Sequence, residues 1–179
     1  MRSSPLPRVA CATLAVLLAA CAPPAETPRP AAAPGQSVEF EGSWNAAGTR
    51  RTLALGDGRR SSVFDLRGTL LLTGSGRPGV GFHVETIAFT AAETGLIGRS
   101  VWTDERGDRV FSELKGEGTA AKNRITGTIV GGTGRFAGAT GSYEFTWQYV
   151  IEAEDGVIQG RGVGLKGRAL VGAAGGARP

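Results

Sequence analysis

From about residue 38 onward, apolar residues recur at alternate positions, and no segment shows helical spacing over three turns. The clearest stretch is 143–151. Tyr143, Phe145, Trp147, Tyr149 and Ile151 share one face, while Glu144, Thr146, Gln148 and Val150 share the other. A helix would scatter these residues around its axis, whereas a strand sorts them, one face buried and one wet. The same rhythm predicts strands near 38–44, 49–56, 61–73, 80–91, 98–105, 108–117, 123–130, 140–153 and 156–170, separated by glycine-rich turns. The turns "GDG" (56–58), "ERGD" (105–108) and "EDG" (154–156) are short enough to force antiparallel pairing. Eight or nine such strands in one small domain imply an all-β barrel or sandwich.

Register decides which side chains meet. A two-residue loop in "ERGD" sets Trp102 opposite Phe111 and Ser100 opposite Glu113, so an aromatic pair and a carboxylate would share one face. The charged run "TDERGDR" (103–109) reads as a solvated hairpin tip.

The stretch "GGTGRFAGATG" (131–141) raises a different question. Gly132-x-Gly134-x-x-Ala137 has the spacing of a dinucleotide-binding turn, but such a turn needs a helix to aim its amides at phosphates, and here a strand resumes by about residue 140. As a barrel corner the residues have clearer uses. Gly131 and Gly132 reverse the chain with positive φ, Gly134 to Gly138 make one tight turn that carries Phe136 inward, and Gly141 stays small where the returning strand passes close. This motif resembles the Gly-Gly-Thr-Gly-x-Phe-x-x-Ala-x-Gly pattern of plant dirigent proteins, and its "GRFAG" is similar to the matching loop of allene oxide cyclases. The resemblance implies an eight-stranded antiparallel β-barrel of calycin type with a central cavity, trimeric in many plant members. It carries over no activity: Thr140 and Ser142 stand where dirigent proteins usually continue Arg-Gly-Tyr, and their catalytic acids have no counterpart that the motif locates.

The ends of the chain are different in kind. Arg2 and Arg8 precede an apolar run, "VACATLAVLLAAC", too short to span a bilayer and laid out like a secretory signal peptide. Its last four residues, Leu18 to Cys21, resemble a bacterial lipobox, in which the cysteine becomes a lipidated N-terminus. The expected organisation is a lipoprotein signal at 1–20, a Pro/Ala-rich tether at 21–36, the barrel at 37–171 and a disordered tail at 172–179. This places the protein in the cell envelope, held to a membrane through Cys21, with outer-membrane sorting expected from Ala22. With Cys11 inside the leader, the domain has no cysteine for a disulfide, a nucleophile or a metal. The formal charge is +4 and falls by two when the leader leaves; the remaining arginines are interleaved with acids, so nucleic acid is not an expected partner.

Chemistry is sparse. His83 and Glu85 alternate onto one face and suit general acid–base work, but one histidine cannot build a usual zinc site, and no metal or cofactor is implied. Small eight-stranded barrels either fill their interior or hold one small ligand. The candidate ligand wall is Trp102, Phe111, Glu113, Tyr143, Phe145, Trp147 and Tyr149. The function expected is non-catalytic binding of a small hydrophobic or aromatic molecule. The alternatives are an isomerase or cyclase acting on a hydrophobic substrate in the cavity, and a structural module that forms a homo-oligomer.

Overall fold

The computed structural model describes residues 35–117 and 123–172; Cys21, the leader, and nearly all of the tether and tail lie outside them. Eight strands follow one another: β1 (Gln36–Ala54), β2 (Arg60–Thr73), β3 (Gly81–Ala91), β4 (Gly95–Thr103), β5 (Arg109–Gly116), β6 (Asn123–Gly132), β7 (Thr140–Glu152) and β8 (Val157–Val171). Each pairs antiparallel with the next, and β8 returns to β1, so the sheet is a closed up-and-down barrel. Closure removes every free sheet edge.

The two strands expected at 38–44 and 49–56 are one. Ala46 and Ala47 look like a break in the hydrophobic rhythm, yet they keep it, with Ala46 buried and Ala47 exposed. A small side chain is still an inward side chain, and β1 runs on for 19 residues.

The turns fall into two sets. At one end lie those between β2 and β3, β4 and β5, and β6 and β7; at the other, those between β1 and β2, β3 and β4, and β7 and β8. The first end is filled. A single 3₁₀ turn, Gly134–Phe136, dips between β6 and β7 and leaves Phe136 almost fully buried, 5.8 Å between ring centres from Phe82. Phe82 meets Trp102, which meets Phe40 and Tyr143, so five aromatic rings pack this half of the interior.

The glycine corner differs from expectation in one respect. Gly131, Gly134, Gly138 and Gly141 have positive φ, but Gly132 does not. Its requirement is space: a β-carbon there would stand 2.4 Å from the Arg109 carbonyl oxygen and 2.6 Å from that of Phe136.

The "ERGD" hairpin also departs from expectation. Asp104 N donates to the Asp108 carbonyl and Gly107 takes φ of 82°, giving a three-residue loop with glycine in the left-handed position. The added residue slides the pairing by one, so Trp102 faces Val110, Val101 faces Phe111, and Arg99 faces Glu113. Nor is Asp104 solvated. Its Oδ1 accepts from the amides of Arg106 and Asp108, and its buried carboxylate lies 2.6 Å from Arg135 on the glycine turn. Arg135 N in turn donates to Asp108, so the charged tip is a clasp that holds two turns together over the filled end.

Candidate functional site

The interior series of β7 runs from the filled end to the other: Tyr143, Phe145, Trp147, then half-buried Tyr149. Phe145 and Trp147 lean across β8, where the residues beneath them are glycines. A β-carbon on Gly160 would come within 2.3 Å of the Trp147 ring, and one on Gly162 within 2.8 Å of Phe145. Bare backbone on β8 therefore accepts the rings, and Trp44 of β1 closes the group, 5.1 Å from Trp147 and 5.8 Å from Phe145 between ring centres. Because the rings lie against one side, the opposite side stays open. A cavity of about 230 Å³ remains there, with an aromatic wall on β1 and β7. Across from it stand Phe64, Leu66, Ala88 and Leu96, interspersed with the hydroxyls of Ser62, Thr86 and Thr90.

Satisfied polar groups line part of that second wall. Thr86 Oγ1 donates to Ser100 Oγ at 3.2 Å, and Ser62 shares a 2.8 Å hydrogen bond with Thr52. Charge appears only at the rim, where Arg50 of β1 pairs with Glu152 at the end of β7. Burial pushes the Tyr149 phenol up from its ordinary value, and the neighbouring Arg50 cation partly offsets this, so the group is a neutral hydroxyl near neutral pH.

The residues singled out from the sequence separate into three places. Phe145, Trp147 and Tyr149 line the cavity. Trp102 and Tyr143 are buried beneath it, in the packed half, 4.8 Å apart between ring centres. There burial drives the Tyr143 phenol well above its usual value, and the neighbouring polar groups of Ser112, Trp102 and Ser100 offset this only in part. Phe111 and Glu113 are on the outer face, a correction that follows directly from the one-residue slide of the β4–β5 hairpin; Glu113 pairs there with Arg99 at 3.1 Å. His83 and Glu85 also point outward, and Glu85 meets Arg67 at 3.5 Å. They are rim and surface groups on β3, not an acid–base pair in the interior.

Sequence reasoning passed over Trp44, Arg50 and Glu152. Trp44 carried a signal, since Phe40, Gly42 and Trp44 alternate in the manner of an inward face. Arg50 and Glu152 carried none, because an inward arginine at a strand end looks the same as an outward one until the closure of β1 on β8 is known. Among the described residues no group of three or more His, Cys, Asp or Glu side chains could hold a metal ion.

The chain matches no family model and no curated protein sequence. Among solved structures, the barrel is similar to the pterocarpan synthase dirigent protein GePTS1, with 12% sequence identity and a TM-score of 0.45, over 80% of this chain and 90% of that one.

Proposed function

We propose that this chain is a lipid-anchored protein of the cell envelope whose barrel holds a small hydrophobic or aromatic molecule in its open half, without transforming it. The observation that carries the binding reading is the cavity of about 230 Å³, closed below by packed rings, walled by Trp44, Phe145 and Trp147, and reached from one end. An apolar cavity of about 150 Å³ is enough to hold benzene, so this one has room for one or two rings. The anchor rests on the sequence around Cys21.

Catalysed isomerisation or cyclisation is the competing reading. Of the groups named for it from sequence, Glu113, His83 and Glu85 lie on the outer face and Tyr143 is buried in the packed half; Tyr149 alone of them lines the cavity, with the hydroxyls of Ser62, Thr86 and Thr90 on the wall and the charges of Arg50 and Glu152 at the rim. This favours binding over chemistry. Homo-oligomer formation is a separate proposal, supported by exposed Val63, Ile87 and Ile97 on neighbouring strands, and size measurement in solution checks it.

Binding is tested with one- and two-ring hydrophobic compounds at saturating concentration. A ligand present at a hundredfold its Kd adds about 2.7 kcal/mol to stability, several degrees in Tm for a domain of this size. Quenching of tryptophan fluorescence should accompany that rise. If no compound in the series moves either signal, the binding reading is abandoned. The anchor is tested separately by Cys21→Ser, which should move the protein from the membrane to the soluble fraction; recovery at unchanged levels in membranes sinks it.

A further inference from the structure

The cavity carries two charged groups among its apolar and neutral polar lining, and both stand at its rim. Arg50 points inward because it continues the inward series Trp44, Ala46 and Gly48 on β1. Its side chain is only 25% exposed, and its Nε finds no acceptor among the described residues. One terminal amino group donates to Glu152, and the Arg50 cation lies close enough to the Tyr149 phenol to oppose the rise in its pKa. Glu152 is itself 45% exposed, on the last residue of its strand. A guanidinium offers five donors in a planar fork and is most fully used by a carboxylate that takes two at once. Here the fork is largely withdrawn from water beside an aromatic pocket, and its one ionic partner among the described residues is a half-exposed side chain at a strand end. Among the described residues the cavity opens at that end, the other being filled by Phe40, Phe82, Trp102 and Phe136.

We propose that the ligand is a small apolar carboxylic acid, whose carboxylate takes Arg50 at the rim in exchange for Glu152 while its ring or hydrocarbon body lies against Trp44, Phe145 and Trp147. This rests on the binding reading above and adds to it the head group and the orientation. Arg50 is then the specificity-determining residue, Tyr149 donates a second hydrogen bond to the bound carboxylate, and Glu152 is an internal competitor that keeps the cation satisfied when the site is free. The competitor role sets this arrangement apart from a permanent structural ion pair. In a permanent pair Arg50 would stay on Glu152, and an acid would bind the wild-type protein no more tightly than its uncharged amide.

The test is calorimetric titration of the purified chain with 2-naphthoate and with 2-naphthamide, which has the same shape and no charge. The acid should bind about tenfold more tightly than the amide, the effect of a charge-assisted hydrogen bond at a partly exposed site. Arg50→Gln should bring the two affinities together by weakening the acid. Glu152→Gln should do the opposite and tighten the acid several-fold while leaving the amide unchanged. Equal binding of the two probes by the wild-type protein, or a weaker acid in Glu152→Gln, overturns the carboxylate assignment and leaves the binding reading standing. Binding of neither probe removes both. Should Arg50→Gln fail to fold by circular dichroism, the Glu152→Gln arm decides alone, because that side chain is half in solvent.

Discussion

The two halves of the barrel are built from the same strands and end differently. In one, Phe40, Phe82, Trp102, Phe136 and Tyr143 touch in succession and leave no usable space. In the other, Trp44, Phe145, Trp147 and Tyr149 are equally aromatic but line a wall. Strand composition does not separate them, for β7 supplies rings to both. The difference lies in the connections. At the filled end the β6–β7 turn lowers Phe136 into the interior, and the clasp of Asp104 and Arg135 holds it there. At the open end the turns at 55–59 and 153–156 are short and lie outside, adding no ring to the interior. A barrel of this size becomes a core or a container according to whether a turn contributes a plug.

The strongest way to break the contrast is to remove that plug. Phe136→Ala should cost about 3–5 kcal/mol, the usual result of emptying a packed aromatic site, and a denaturant melt will measure it. A loss under about 1 kcal/mol would mean that the closed end is not the closed end. Overpacking sharpens the same comparison. Ala139→Leu, in the filled half, should cost about 1–3 kcal/mol, whereas Ala88→Leu, on the cavity wall, should be neutral or stabilising because it adds methylenes to empty space. Equal costs would refute the difference in packing.

The filled half should also set the alkaline limit of stability. Tyr143 is held neutral by burial, its pKa raised in the folded barrel, while in the unfolded chain it ionises near the ordinary value of about 10. Protons are therefore bound more tightly by the native state. Stability from this group is intact below about pH 10 and falls as the pH rises above it. Tyr143→Phe should flatten that decline, at a cost near neutral pH of no more than about 1–2 kcal/mol for the removed hydroxyl. Melts between pH 8 and about 11 would show whether the slopes differ. The smallest effect is expected outside both halves. Glu113→Gln breaks only an exposed pair with Arg99 and should change stability by no more than about 0.5 kcal/mol, with ligand affinity unaltered. Lost affinity would return Glu113 to the interior and refute the hairpin register.

Alternation alone determined that this chain is all strand, that Tyr143, Phe145, Trp147 and Tyr149 share a face, and that the corner at 131–141 is a turn between strands. These are local properties, set by a two-residue period and by the glycines that interrupt it. Two further matters were settled only by tertiary structure. The first is facing across the β4–β5 hairpin, where one extra loop residue, stabilised by the Asp104 carboxylate, turned Phe111 and Glu113 outward. Period two makes facing all-or-none, so a shift of one residue inverts every assignment beyond it. The second is which aromatic residues meet and which leave space. Trp44 joins Phe145 and Trp147 only because β1 closes on β8, and those two rings find room because Gly160 and Gly162 on the next strand present bare backbone to them. Whether the shared face is core or cavity depends on contacts between residues a hundred positions apart, and no local pattern encodes that.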